Sequence, residues 1–271
     1  MKIGVISGTK ASDAYICKIL LSQFPGSKII CYKIPFHMWL PWLRKRIATL
    51  GCSVFIGHML LSIFLRSERF IERLCGRSIW KTFKVGRPSW MSIPNVQLSF
   101  SEENLAEKLK DVACVIATDT FQYSPKFFKT IQKPFIQVVW GSTPHYFGDS
   151  GAFWAFAKDD TSNVGVSVIL RRSQFQYYRL LEWIPVPVSN ADTIRTIKVK
   201  QVIALGEKIP YTIQRFLSYG YTKEGTANKV QCRNWYAPTL RTFVRFIWAK
   251  KYGRMFHIPS YACKEYVGFL F

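Results

Sequence analysis

Short apolar runs alternate along this chain with segments whose apolar positions recur every three to four residues. Residues 2–7 (KIGVIS) form a compact run of strand character that turns at Gly8-Thr9-Lys10. Ser12 or Asp13 then caps an expected helix carrying Ile16, Leu20 and Leu21 on one side, and a second strand is expected at 28–34. Strand, helix and strand in close succession open a parallel α/β sheet, because parallel neighbours need a crossover connection.

The alternation continues downstream. Ser101 with Glu102 and Glu103 reads as a capped helix start running to about Lys110, its acids suited to the positive end of the helix dipole. A strand at 112–117, a helix near 125–130 and a strand at 135–140 follow. Beyond a loop rich in Gly, Ser and Pro at 141–151 come a helix around 153–157 and a strand at 164–170. The expectation is a Rossmann-like α/β domain over 1–188, with a mainly parallel sheet of six or seven strands. From about Pro185 the pattern changes to helical stretches at 192–205 and 207–219 and a basic, aromatic tail from Lys229. Residues 189–271 are read as a helical, basic extension.

Between the first strands and the rest lies an apolar helical insertion, about 38–80. Its centre, 47–65, has no formal charge with His58 neutral, between Arg44-Lys45-Arg46 and Arg66. By length it reaches the range of a membrane span, but a span would cut the first two strands off from the sheet. Two readings stay open: helices buried against the domain, or an amphipathic element that lays residues 44–66 on an anionic membrane surface. His58 is a packed or interfacial histidine in both.

The composition of the 271 residues, 49% hydrophobic and 16% aromatic, supports a large core and excludes disorder and a disulfide miniprotein. A net charge of +22 favours polyanions: RNA, DNA, an anionic membrane or phosphorylated substrates. The seven cysteines are scattered without a C-x-x-C pair, so no metal site is expected. Their odd number, and an N-terminus without signal-peptide character, point to reduced thiols in the cytoplasm. The first turn has one of the three glycines of a dinucleotide fingerprint, and there is no P-loop or serine nucleophile elbow.

The stretch 111–170 resembles the formyltransferase family, which includes methionyl-tRNA formyltransferase and sugar-amine formyltransferases. DVACVIATDTFQYSPKFF and FIQVVWGSTPHYFGDSGAFWAFAKDDTSNVGVSVIL carry the likeness. Pro144, Tyr146, Gly148, Trp154, Ala155, Gly165 and Val166 match the family's L-L-P-x-Y-R-G loop, W-A helix and G-V-T-I-H strand. Ile184-Pro185-Val186 with Asp192-Thr193, and the segment from Tyr236 to Arg241, extend it more weakly.

The resemblance implies 10-formyltetrahydrofolate as cofactor and transfer of its formyl group to an amine, on methionyl-tRNA or an amino sugar. Such transfer needs a donor to the tetrahedral oxyanion and a group that shuttles a proton. The family supplies these with the Asn and His of N-x-H and an Asp of an acidic loop. Here those strand positions hold Gln137 and Val139, and the loop reads Arg171-Arg172-Ser173-Gln174-Phe175-Gln176. The Arg pair reverses the local charge and favours an anionic ligand over an amine.

Gln137 as amide donor, His145 as a substitute base and Gln176 in the former acidic loop are the catalytic candidates. His145 also reads as a solvent-facing loop residue. Thr118 and Asp119 at a strand end, with Gly141 and Ser142 at the start of the next loop, are the cofactor-binding candidates. Asp149 and Ser150 either cap the following helix or face the cavity. The tail from Arg233 to Arg254 could grip RNA, such as tRNA, or dock on the domain with its cations in water. Two functions follow: a divergent or degenerate formyltransferase binding a folate-type small molecule, or a non-catalytic pseudoenzyme whose basic face holds RNA or an anionic membrane.

Overall fold

The computed structural model describes residues 1–271 apart from 34–35, 76–77, 87, 119–122, 172–177, 220–232 and 266–271, and side chains apart also from those of 36–39, 42, 45, 73, 233–234 and 264–265. Its centre is a seven-stranded sheet of β1 (Gly4–Ser7), β2 (Lys28–Tyr32), β3 (Gln97–Ser99), β4 (Val115–Ala117), β5 (Phe135–Val139), β6 (Gly165–Arg171) and β7 (Tyr178–Pro185). The spatial order is β3-β2-β1-β4-β5-β6-β7. The first five strands pair in parallel, and β6 and β7 are antiparallel. This is the mainly parallel Rossmann-like α/β sheet expected from the alternation. The order reverses at β1, which lies between β2 and β4.

Both faces of the sheet are covered, which is why its central strands read as unbroken apolar runs. Helices α1 (Ala11–Gln23) and α8 (Ile194–Tyr219) pack on one face, where Ile16, Leu20, Val202 and Leu205 meet Val5, Ile116 and Val138. On the other face α5 (Glu102–Lys108) and α6 (Pro125–Ile131) bring Leu105 and Phe127 against Ile6, Val115 and Phe135. Ser101 and Ser124 cap these two helices by accepting from the N–H of Asn104 and Phe127.

Several boundaries differ from the sequence reading. Helix α1 starts at Ala11 after Lys10, and neither Ser12 nor Asp13 is its cap. Asp13 sits in the first turn and accepts from the Lys10 N–H at 3.1 Å. The two helices expected at 192–205 and 207–219 are one, α8. Gly206 does not break it, because a Cβ there would lie 2.6 Å from Ile19 and 2.7 Å from Tyr15. The glycine lets α8 approach α1.

The apolar insertion forms α2 (Phe36–Leu50) and α3 (Cys52–Leu74), separated at Gly51, whose φ of +85° suits a residue without a Cβ. A short α4 (Ile79–Thr82) leads back to β3. Among the described residues no helix is long and apolar enough to cross a membrane. A further cluster joins α7 (Gly151–Ala157) and α9 (Leu240–Lys251) to Leu61 of α3 and to Trp235 of β8 (Arg233–Trp235), which pairs with β9 (Cys263–Glu265). The basic tail is therefore docked: Trp235, Phe243 and Phe246 are buried.

Candidate functional site

The carboxyl ends of β1 and β4 meet where the strand order reverses, the place at which open α/β sheets hold ligands. Here the apolar faces of the two strands end in hydroxyls. Thr118 donates to the Ser7 Oγ at 3.1 Å, and both side chains are fully buried. Asp13 is buried beside them. Its carboxylate lies so close to Gly8 that a Cβ on that residue would come within 2.7 Å of it. Burial raises the Asp13 pKa above the ordinary value, against the pull of Lys10 and Lys198.

Lys198 comes to this edge from α8, far away in sequence. Its ammonium stands 3.1 Å from the centroid of the buried Trp140 ring, a close cation–π contact. Withdrawal from water pulls its pKa well below that of an ordinary lysine, and Asp149 and Asp13 pull it back up. Cys17 and Cys31 border the same region, and burial raises their thiols to about 12 and about 11. Neither is a thiolate nucleophile at neutral pH.

The loop after β5 closes the edge. The Ser142 carbonyl accepts from the Tyr146 N–H at 2.6 Å, and the Ser167 hydroxyl of β6 ties the loop by donating to the Gly141 carbonyl at 2.8 Å and accepting from the Thr143 N–H at 3.0 Å. Gly141 and Gly151 touch the Tyr146 carbonyl so closely that neither can carry a Cβ. The Thr143–Pro144 bond is cis. The Thr143 Oγ1 is buried and makes no hydrogen bond among the described residues. A buried hydroxyl without a partner costs about 1–3 kcal/mol.

The tail holds this loop from outside. Trp235 stacks on Tyr146 with ring centroids 5.2 Å apart and donates its indole N–H to the His145 carbonyl at 2.7 Å. The Tyr146 hydroxyl donates to Asp160 at 3.0 Å. The Trp154 indole N–H donates to the Tyr236 carbonyl at 2.6 Å.

Gln137 lies on the other face. In the β5–β6 register it faces Ile169, and its amide oxygen accepts from the Arg171 guanidinium at 2.8 Å. Arg171 also lies over the Phe128 ring, 5.1 Å from its centroid. A cation thus stands beside the amide at the end of β6. Val139, on the same face as Gln137, is buried.

Of the residues singled out from sequence, Thr118, Gly141 and Ser142 come to one edge, at the ends of β4 and β5. Gln137 is near them in the sheet but turned to the opposite face from Thr118, because alternate residues of a strand point to opposite sides. His145 is exposed, and what ties it to the loop is its backbone carbonyl, held by Trp235. Asp119 and Gln176 lie outside the described residues. Asp149 is exposed and does not cap α7. Ser150 is the capping residue by position, without a side-chain bond. Lys198 and Thr143 escaped sequence reading. Lys198 carried one faint signal, as a lysine on the otherwise apolar flank of Ile197, Val199 and Val202. Among the described residues no group of three His, Cys, Asp or Glu side chains could hold a metal ion.

No protein-family model and no curated protein matches the chain by sequence. Solved structures do match its fold. The fold is that of the formyltransferases. A phosphoribosylglycinamide formyltransferase from Anaplasma phagocytophilum superposes with a TM-score of 0.51 at 12% identity, over 85% of this chain and 92% of that one. A 4-N formyltransferase from Francisella tularensis gives 0.51 at 9% identity, over 86% and 76%. Glycinamide ribonucleotide transformylase 1 from Symbiobacterium toebii gives 0.51 at 12% identity, over 84% and 92%. At such identities the likeness is one of architecture.

Proposed function

We propose that this chain is a divergent formyltransferase-family protein that binds a folate-type one-carbon donor, 10-formyltetrahydrofolate, at the carboxyl edge of its sheet. The observation that carries this reading is the buried Thr143 hydroxyl with no partner among the described residues, on the loop that closes the edge beside the Ser7–Thr118 pair. A ligand group reaching this loop satisfies that hydroxyl. Arg171 adds positive charge next to Gln137, which suits the carboxylates of a folate tail or an anionic acceptor.

The proton chemistry of this reading departs from the family pattern. Val139 has no transferable proton, and His145 is exposed, with only its carbonyl held, by Trp235. Lys198 is better suited, because its withdrawal from water pulls its pKa well below that of an ordinary lysine, the direction a general base requires. In transfer, the acceptor amine attacks the formyl carbon and loses a proton to a base, and that proton passes on to the folate nitrogen as its bond to the formyl carbon breaks. Gln137 lies on the sheet face opposite Lys198, with its amide oxygen held by Arg171, so the two are not assigned to one step.

Consumption of 10-formyltetrahydrofolate by the full chain, measured with a panel of amino-sugar nucleotides and small amines, tests the reading. Amine-dependent loss of the donor supports it; a donor that stays intact with every amine and does not bind overturns it. The non-catalytic alternative, an RNA-holding protein, loses support from the tail, whose Trp235 is buried in packing rather than offered to bases.

A further inference from the structure

Helix α3 faces the wrong way for a helix of a water-soluble domain. Its buried side, at His58 and Leu61, meets α9 and the 259–262 region, while Ile56, Leu60, Ile63, Phe70, Ile71 and Leu74 are 47–71% exposed. These positions fall on one face of the helix, interrupted at Ser67, and form a stripe along about five turns. Adjoining α9 adds Val244, Ile247 and Trp248, each about half exposed. A contiguous apolar surface of this kind marks an interaction site.

Charge decides what occupies it. Helix α9 contains no acid, and Arg241, Arg245 and Lys251 are exposed along it. The two acids of α3, Glu68 and Glu72, are drawn to the inner side by Arg195, at 3.5 and 2.6 Å. The apolar stripe is therefore bordered by cations, with its acids neutralised. A second copy of the chain would bring another +22 against this border, which opposes self-association. An anionic bilayer offers both the hydrocarbon for the stripe and the headgroup charge for the rim.

We propose that α3 and α9 form a docking face for an anionic lipid surface, with α3 lying in the plane of the interface. No helix among the described residues can span a membrane, and interfacial binding needs none. The inference is independent of the one-carbon reading, since the face is built from other residues.

Sedimentation of the full chain with vesicles of phosphatidylcholine containing roughly one third phosphatidylglycerol, to give an anionic surface, tests it. Pure phosphatidylcholine vesicles serve as reference. The expected result is co-sedimentation with the anionic vesicles, weakened at least about tenfold by Ile63→Gln/Phe70→Gln/Leu74→Gln and more mildly by Arg241→Gln/Arg245→Gln. These side chains are exposed, so circular dichroism of the variants should match that of the parent. Three outcomes would overturn the proposal: no binding to either vesicle, binding that the triple variant leaves unchanged, or a concentration-dependent dimer that the triple variant abolishes. Unchanged binding would place the attraction in general basic charge, and RNA would then compete equally with both proteins.

Discussion

Arg171 donates to the amide oxygen of Gln137 at 2.8 Å, across the antiparallel β5–β6 pair. It reaches one step along the shared face, since its own register partner is Phe135. This contact fixes the orientation of the amide at the position where the resemblance expects an oxyanion donor. Arg171→Leu should destabilise the chain by about 1–3 kcal/mol, because the buried amide oxygen loses a charged donor. Adding Gln137→Leu should recover part of that loss, as replacing both partners of a buried pair by apolar groups costs less than removing one. Urea denaturation of the two single variants and the double variant measures the coupling.

The clamp of Trp235 on the loop after β5 should be separable into stacking and hydrogen bonding. Trp235→Phe keeps a ring against Tyr146 and loses the indole donor to His145, which should cost about 1 kcal/mol. Amide hydrogen exchange at Tyr146 should accelerate about fivefold, since that penalty falls mainly on local opening of the loop.

His58 gives the chain an acid-sensitive limb. Burial, then the nearby positive charge of Arg46, lowers its pKa from 6.5 to about 4. Between those values the unfolded chain takes up the proton and the folded one does not. Stability is therefore full above pH 6.5 and falls as the pH drops toward 4, by something on the order of 2 kcal/mol once partial access to solvent is allowed for. A backbone hydrogen bond at Ala237 offsets only part of this lowering, so His58→Met, which has no proton to take up, should flatten the decline. Denaturation midpoints at pH 7 and pH 5 for both proteins check the sign and the size.

If Lys198 works as a neutral base, charge alone cannot replace it. Lys198→Met and Lys198→Arg should each lower formyl transfer by about a hundredfold, the usual scale for losing a positioned base. Lys198→Arg should bind a folate analogue nearly as well as the parent, because a long side chain over Trp140 is kept. Equal turnover in the arginine variant would show that the lysine acts only through its charge.

The central sheet was legible because β1, β2, β4 and β5 are buried on both faces, and burial writes continuous apolar runs. The edge strands were not. β3 reads QLS with two of its three residues exposed, and β7 mixes Arg179 and Glu182 with apolar residues, as partly solvated strands do. Gly206 looked like a helix end, yet it is a packing glycine; a single sequence does not distinguish a stop from a close approach. The candidate site was half legible. Thr118, Gly141 and Ser142 follow strands and could be placed from the alternation alone. Lys198 could not, because its position over Trp140 depends on how α8 docks on α1, a contact between segments more than 170 residues apart.

The central claim is that the carboxyl edge still holds a folate-type donor. Calorimetric titration of the full chain with a non-transferable formyl-folate analogue, in moderate salt to suppress attraction to the basic surface, tests it most directly. The account predicts one-to-one binding that weakens about tenfold in Thr143→Val, where the unpartnered hydroxyl is replaced by a methyl of the same shape. No binding by the parent chain, or equal binding by the variant, would contradict it.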